Sequence, residues 1–274
     1  MVIFQSMPMI SMVTTFVTLI LIWISTLKNP FKAFWALGKQ FIASRKFLIL
    51  VLAMIGVLLI NSWELQWEEA MNYSADFTPL IYNLEGHFIQ NFQQLFHSQW
   101  LNIVCAIFYV IVFQGLIIAS LAVYASDNNK ISMYATCCTV MINYMVAIPF
   151  YLFVPVHEVW SYAPSGSIFY MLEVFPKFNE VYRQFSGIDN CFPSLHTSIS
   201  VSMAILGFRS GNKIWKIVTM VSAAIIVFST LYFAIHWVSD MLAGLVLASV
   251  ATTLGTKWAT RIHRGKAISH SLSQ

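Results

Sequence analysis

A histidine and an aspartate four residues apart, His236 and Asp240, stand at the start of the last apolar segment. In a helix this spacing puts both side chains on one face, about one turn apart. The carboxylate can then hold one imidazole nitrogen and direct the other outward, as in a nucleophile or base with its orienting partner. The alternative without function is that Asp240 is a polar residue satisfied by its packing and that His236 is a histidine at the membrane interface. An ionised aspartate in a span costs about 2.5–3.5 kcal/mol, which argues against an idle residue.

A second candidate site is the segment Pro193-Ser194-Leu195-His196. Proline fits the first turn of a helix, and the free amides of that turn bind anions. We expect Ser194 and these amides to receive a phosphate oxygen, and His196 to donate a proton to a leaving oxygen. Taken alone, the segment is equally a plain helix start with a histidine near water. A metal bound by His236 and Asp240 is a weaker alternative, because the remaining ligands are not evident.

Composition determines which elements must position these residues. Hydrophobic residues make up 58% of the 274 residues and charged residues only 9%, against roughly a quarter charged in soluble domains. Because about 20 apolar residues span a bilayer as a helix, we predict an all-α integral membrane bundle of six to seven transmembrane helices. Nothing supports nucleic-acid binding. The candidate spans are Ile10–Leu27, Phe47–Trp63, Trp100–Tyr124, Ser132–Pro155, Ser194–Phe208, Ile214–Phe233 and Trp237–Trp258.

Two of these segments are unusual. The first has neither a basic region ahead of it nor a small-residue cleavage signal behind it, so we do not expect a removable signal peptide; whether it fully spans is open. The fifth is short and rich in serine, so its polar residues should face protein or a wet cavity.

A small-residue pair, Gly244 and Ala248, indicates close helix packing. The four cysteines lack metal-ligand spacing and indicate no redox compartment.

The distribution of basic residues predicts the orientation. If seven spans alternate, all Lys and Arg residues except Lys177 and Arg183 lie on one face, which the positive-inside rule makes cytoplasmic. The carboxyl terminus is then cytoplasmic, and the two candidate sites share the extracytoplasmic (external or lumenal) face. The segment 64–99 lies on that face too. It is acidic and contains Tyr73 and several other aromatic residues, which suits helices at the membrane interface.

The chemistry-bearing segments resemble a known family. Cys191–His196 (C-F-P-S-L-H) and Ser229–Asp240 (S-T-L-Y-F-A-I-H-W-V-S-D) are similar to the second and third signatures of the type 2 phosphatidic acid phosphatase (PAP2) superfamily. The usual forms are P-S-G-H and S-R-x5-H-x3-D. The likeness covers roughly Trp100 to Trp258 and implies a membrane domain with a PAP2-like catalytic core at 100–258. Residues 1–99 then supply N-terminal spans and the interfacial segment, and 259–274 a basic cytoplasmic tail.

The resemblance also implies roles for three residues. The histidine that matches His236 attacks phosphorus and becomes phosphorylated, the aspartate that matches Asp240 supports it, and the histidine that matches His196 protonates the leaving group. No cofactor and no metal are implied. The expected partners are membrane lipids, as a phospholipid or lipid phosphate substrate with a possible lipid hydroxyl acceptor.

The sequence departs from the family pattern where positive charge is expected. The first signature, K-x6-R-P, has no match, and Thr230 replaces the arginine of the third. The P-S-L-H variant with fewer cations resembles the inositolphosphotransferase-like branch, which includes inositol phosphorylceramide synthases. Such enzymes act on phosphodiesters, which carry less negative charge than phosphomonoesters. We therefore favour headgroup transfer, with a PAP2-type lipid phosphate phosphatase as the alternative.

The remaining cations on the predicted catalytic face are Lys177 and Arg183. Phosphoryl transfer is catalysed largely by positioning and by positive charge, so we predict that Arg183, assisted by Lys177, binds the substrate phosphate. The alternative is that both pair with carboxylates in an exposed loop. An alternative from another class is a lipid-phosphate binder or transporter without catalysis, since proton-coupled carriers also use intramembrane aspartate and histidine.

Overall fold

The structure is a computed structural model that describes residues 2–71, 75–183 and 187–271. Tyr73 lies outside these residues, as do the side chains of Glu69 and of residues 265–271, which include Lys266. The described chain is an all-α bundle, which confirms the predicted fold class. Its helices are α1 Met7–Thr26, α2 Pro30–Ala43, α3 Arg45–Met71, α4 Thr78–Glu85, α5 Phe88–Phe96, α6 Gln99–Ala106, α7 Phe113–Ser126, α8 Lys130–Phe153, α9 Phe178–Val181, α10 Leu195–Arg209, α11 Lys213–Tyr232 and α12 Val238–Ser271.

Six helices among the described residues are long and apolar enough to cross a membrane. They correspond to six of the seven predicted spans, with α6 and α7 joined through a π-helical turn, Ile107–Val112, into one long helix. The seventh prediction, the short serine-rich segment, is the 15-residue α10. With 15 residues it is shorter than each of the six candidate spans among the described residues.

The helix α10 lies at the centre of the bundle, where α7, α8, α11 and α12 pack around it. Its serines at positions 198, 200 and 202 are fully buried, and Ser198 donates a hydrogen bond to Asn143 on α8. Because protein surrounds these hydroxyls, a segment of low hydropathy is tolerated at this depth. The prediction that its polar residues face protein is confirmed.

Close packing of α12 on α10 depends on Gly244. A Cβ atom there would lie 2.7 Å from the carbonyl oxygen of Ser194 and 3.0 Å from Cβ of Thr197. Only glycine allows the first turns of α10 and α12 to approach so closely. Ala248, one turn further along, is fully buried. The predicted small-residue contact is therefore present, and it brings the two candidate catalytic segments together.

The connecting segments divide between the two ends of the bundle. At one end, Asn212 donates hydrogen bonds to the Ser25 carbonyl and to Asp127, and Lys46 donates to the Ile262 carbonyl. At the other end, the amide of Ile3 donates to the Val174 carbonyl. Successive connecting segments thus lie at alternate ends of the bundle, which is the arrangement assumed when the orientation was predicted.

The segment between the first two spans contains a helix that we did not predict. Helix α2 packs against α7, buries Ala33 and Leu37, and exposes Phe31, Trp35 and Ile42. Asn29 caps its start by accepting a hydrogen bond from the Phe31 amide. The basic residues of this segment are typical of a cytoplasmic loop, but its apolar residues recur with the period of a helix.

Candidate active site

The i, i+4 spacing had suggested that His236 lies in the last helix. In the structure His236 lies in a turn that precedes this helix. The turn passes through Ala234, which has a positive φ of 53°, and α12 begins only at Val238. The carbonyl of Thr230 accepts hydrogen bonds from the amides of Ile235 and His236, both at 3.1 Å. These backbone contacts fold the chain back and hold the imidazole beside α12.

Asp240 occupies the first turn of α12 and is fully buried. Its Oδ2 accepts a hydrogen bond from the Trp237 amide at 2.9 Å and lies 3.5 Å from Nδ1 of His236. This distance suits an ion pair and is longer than an ordinary hydrogen bond, as catalytic pairs often are without substrate. The predicted pair therefore meets, and Nε2 of His236 is left for a substrate.

His196 projects from the first turn of α10 and is clamped by aromatic rings. Its ring stacks on Tyr109 with centroids 4.0 Å apart and lies 4.3 Å from the ring of Phe113. Tyr109 lies in the π-helical turn, a feature frequent at functional sites. The His196 and His236 ring centroids are 6.2 Å apart, and Nε2 of His196 has no protein partner among the described residues. Both imidazoles can therefore contact one phosphate group.

Ser194 caps α10 and does not line the cavity described below. Its hydroxyl accepts a hydrogen bond from the Thr197 amide at 3.3 Å, and its amide donates to the Asp240 carbonyl at 3.1 Å. The amides of Leu195 and His196 remain in the first turn without an intrahelical acceptor. An anion at this helix start would meet those amides, and the Ser194 hydroxyl acts on it only by fixing the turn.

Both histidines open onto a cavity of about 130 Å³ between α3, the α6–α7 helix, α8 and the loop before α10. Two carboxylates, Glu64 and Glu158, line it, and no Lys or Arg does so within the described parts of the chain. The other lining residues are Asn61, Tyr109, Phe113, Tyr144, Tyr151, Tyr182, Asn190, Cys191, Leu195 and Ile235. None of these residues, nor Glu64 or Glu158, had been predicted as a site residue from the sequence. Glu64 could have been found, because an acidic residue at the end of an apolar span is unusual and often functional.

Arg183 lies behind the cavity wall. Both terminal nitrogens of its guanidinium bind Glu158, at 2.7 and 2.8 Å, and Trp160 donates to the same carboxylate. Burial alone would lower the pKa of Arg183, but the hydrogen bonds and charge of Glu158 raise it above its ordinary value. The sequence had suggested carboxylates closer to Arg183 along the chain, Glu173, Glu180 or Asp189, as its ion-pair partners, and Glu158 was not among them. Lys177 is exposed and does not line the cavity.

A carboxylate from the interfacial segment caps the catalytic helix. Glu85, the last residue of α4, accepts hydrogen bonds from the amides of Val238 and Ser239 at 2.8 and 2.7 Å, and from the Ser239 hydroxyl at 2.6 Å. Negative charge at a helix start is favourable. Glu85 thereby fixes the turn that carries Asp240. The sequence gives no local sign of it, because the two partners lie about 150 residues apart.

Cys191 completes a possible set of metal ligands with His236 and Asp240, whose ligand atoms lie within 4.8 Å of one another. The Cys191 thiol, however, donates a hydrogen bond to the Ile235 carbonyl at 3.3 Å. Burial, with the nearby charges of Asp240 and Glu158, raises the pKa of Cys191 well above its ordinary value. Metal binding at this cluster would therefore have to release the thiol proton and break the hydrogen bond to Ile235.

The structure is that of an all-α polytopic membrane bundle, with a buried histidine and aspartate, a second histidine at a helix start and a cavity at one end. The family model described as "PAP2 superfamily" matches residues 82–254, more than half of the chain. The chain belongs to the PAP2 superfamily. Comparison with curated proteins and with solved structures finds no match.

Proposed function

We propose that the chain is a membrane lipid phosphotransferase or phosphatase that works through a phosphohistidine. The observation that carries the proposal is the shared cavity, onto which His196 and His236 both open, with Asp240 3.5 Å behind His236. Membership of the PAP2 superfamily supports phosphatase or phosphotransferase chemistry in general. The lipid partners and the extracytoplasmic location of the site belong to the proposal.

The first step is attack of Nε2 of His236 on the lipid phosphorus. A bond forms between nitrogen and phosphorus and the bond to the leaving oxygen breaks. His196, which takes up a proton when the phosphate anion binds beside it, gives that proton to the leaving oxygen. Asp240 stabilises the imidazolium that develops on His236. In the second step His196 takes a proton from an acceptor hydroxyl, whose oxygen attacks phosphorus and releases His236.

The charge of the site favours a phosphodiester and therefore headgroup transfer. Within the described residues the cavity lining contains no Lys or Arg, and a phosphodiester carries one negative charge where a phosphomonoester carries nearly two. The roles of the helix-start amides and of Arg183 in binding phosphate are part of this proposal, whereas Lys177, exposed and outside the cavity lining, is no longer proposed as a phosphate ligand. Two alternatives are a lipid phosphate phosphatase and a non-catalytic lipid-phosphate binder or transporter. The ionisable groups that line the cavity, Glu64, Glu158, His196 and His236, lie together at one end of the bundle, which speaks against a transport path built from such groups.

The test is turnover by the purified full-length chain in detergent, with phosphate release and headgroup exchange measured on a panel of lipids. We expect His236→Ala to abolish turnover. A positioned general acid contributes about 10² to 10⁴ in rate, so His196→Ala should keep residual activity and lose most on poor leaving groups. His97→Ala, at an exposed histidine paired with Glu173, is the matched control. Normal turnover by His236→Ala would exclude the covalent mechanism.

A further inference from the structure

We propose that Glu64, Asn61 and Asn190 form a subsite for an ammonium group, so that the substrate is a phospholipid with a zwitterionic headgroup. The inference rests on the proposed function and names its substrate class. These three residues line the same cavity as His196 and His236. The phosphate would lie at the histidines, and the headgroup nitrogen at this wall.

Glu64 is a buried carboxylate without a protein cation. It lies in α3, within the candidate span Arg45–Glu68, and is 2% exposed. Its two oxygens accept hydrogen bonds from Nδ2 of Asn190 at 3.2 and 3.0 Å, and no Lys or Arg is bonded to it within the described residues. Asp189 adds a second negative charge nearby. Because an unpaired buried charge is costly, burial favours the protonated form of Glu64 in the absence of a cation, and a ligand that brings an ammonium group would let the carboxylate ionise and pair with it.

Unsatisfied acceptors lie beside Glu64. The oxygens Oδ1 of Asn190 and Oδ1 of Asn61 are both buried and have no hydrogen-bond partner in the described structure. Asn190 as a whole is only 9% exposed. Native proteins rarely leave such oxygens unpaired, and each one calls for a donor. A primary ammonium group offers three donors and no acceptor, which matches a wall made of one carboxylate and two amide oxygens.

Aromatic rings complete the environment of this wall. Tyr144 and Tyr151 from α8 and Tyr182 from the loop line the cavity together with Tyr109 and Phe113. The faces of such rings attract cations, and most strongly in a site that excludes water. They therefore stabilise both a primary ammonium and a quaternary one.

Charge balance distinguishes an ammonium headgroup from a polyol. Arg183 is engaged by Glu158 through both terminal nitrogens, so it does not neutralise Glu64. A glycerol or inositol headgroup would bring hydroxyl groups to Glu64 and a negative phosphodiester to the cavity, with no added positive charge. A zwitterionic headgroup brings one charge of each sign. The unpaired acceptors further favour ethanolamine, whose nitrogen carries N–H donors, over choline, whose nitrogen carries none.

The test uses the full-length purified chain in mixed micelles with phosphatidyl-ethanolamine, -choline, -glycerol and -inositol of identical acyl chains, with phosphatidate as a further substrate. Products are measured by mass spectrometry. We expect kcat/KM to be higher for the ethanolamine and choline lipids than for the glycerol and inositol lipids. A hydrogen bond to a charged group is worth about tenfold to a hundredfold in affinity. Glu64→Gln should lower the ammonium-to-glycerol ratio by about this factor, mainly through KM.

Further variants guard against a folding defect in Glu64→Gln. Asn61→Asp, which adds charge to the same wall, should raise the ammonium-to-glycerol ratio, and Glu64→Asp should retain part of it. Glu180→Gln, at an exposed carboxylate outside the cavity, is the matched control and should leave the ratio unchanged. Equal turnover of all four headgroups, preference for inositol, or an unchanged ratio in folded Glu64→Gln overturns the subsite.

Binding without turnover separates this inference from the proposed function. In the His236→Ala variant, phosphoethanolamine should raise the midpoint of thermal unfolding more than glycerol phosphate does, and Glu64→Gln in the same background should remove the difference. Stabilisation without any lipid turnover by the parent chain would support the subsite and exclude the enzyme. Turnover of phosphatidate or of the glycerol lipid without ammonium preference would support the enzyme and exclude the subsite.

Discussion

Positive charge is scarce at the site, and individual residues show why. Thr230 stands where the family signature has arginine. It is fully buried, and its hydroxyl donates a hydrogen bond to the Val227 carbonyl inside α11. This position therefore contributes a backbone acceptor that holds the His236 turn, and no charge. In the proposed mechanism, transition-state stabilisation would come from the imidazoles, the first amides of α10 and the Arg183 guanidinium.

Arg183 gives the first prediction at this scale. Direct contact with phosphate requires Arg183 to share or release Glu158, which both of its terminal nitrogens now bind. Breaking a buried ion pair costs about 3–5 kcal/mol, so Arg183→Ala should lower the free energy of unfolding as well as activity. Arg183→Lys should also lose much activity, because lysine cannot bind two oxygens in parallel.

The double variant Arg183→Ala with Glu158→Gln separates the two roles. It leaves no buried charge unpaired, so it should recover most of the lost stability in a thermal unfolding assay. If Arg183 binds phosphate, kcat/KM stays low in the double variant. Parental kcat/KM in the double variant would show that Arg183 serves only to neutralise Glu158.

The second prediction at this scale concerns metals. Neither proposed step requires one, and the Cys191 thiol beside His236 and Asp240 donates a hydrogen bond to the Ile235 carbonyl. Turnover should therefore persist in excess chelator. Vanadate should block it by mimicking five-coordinate phosphorus. Loss of turnover in chelator, restored by one divalent metal, would instead identify the Cys191, His236 and Asp240 cluster as a metal centre.

Among the elements, the first turns of α10 and α12 assemble the site by direct contact. The Ser194 amide donates to the Asp240 carbonyl, and Glu85 caps α12 from α4. Gly244 sets the distance between the two helices, because a Cβ atom there would clash with the Ser194 carbonyl at 2.7 Å. The geometry of the candidate site thus depends on a contact that involves backbone atoms and a glycine, and none of the candidate catalytic side chains.

Replacing Gly244 tests that dependence. Gly244→Ala should force the two helix starts apart and cost about 1–3 kcal/mol, as overpacking does, with a larger proportional loss in kcat than in folded protein. Gly56→Ala in α3 is the control, because no other group lies within 4 Å of a Cβ atom there. It should be neutral or stabilise by about 0.5–1 kcal/mol. Parental kcat in Gly244→Ala would show that the site tolerates the shift.

The elements also show how far the sequence could lead. Hydropathy predicted the spanning helices because lipid imposes helical structure on apolar segments. Local spacing predicted the pairing of His236 with Asp240, and the alternation of the spans predicted that His196 lies at the same end of the bundle. Spacing misplaced His236 in a helix, because a turn held by the Thr230 carbonyl also brings it to Asp240. Glu85 and Glu64 were missed as site residues because their roles depend on contacts between distant segments, which no local pattern encodes.

At the scale of the whole molecule, the cavity lies at one end of the bundle and most basic residues lie at the other. The cavity lies at the end of the bundle where the loop before α10 and the start of α12 meet. The loops and helix ends at the opposite end carry most of the basic residues, such as Lys46, whose ammonium group binds the Ile262 carbonyl. Basic residues favour the cytoplasmic side of a membrane. We therefore expect the end of the bundle that holds the cavity to face the extracytoplasmic side.

The final prediction tests this orientation by labelling single cysteines in intact cells. The four native cysteines are buried, so introduced ones can be followed against a low background. Glu180→Cys, exposed at the cavity end, should react with a membrane-impermeant maleimide in intact cells. Lys39→Cys, exposed on α2 at the opposite end, should react only after permeabilisation, because the basic end faces the cytoplasm. The reverse pattern would place the cavity on the cytoplasmic side, and the expected acceptor lipids would then be those of the inner leaflet.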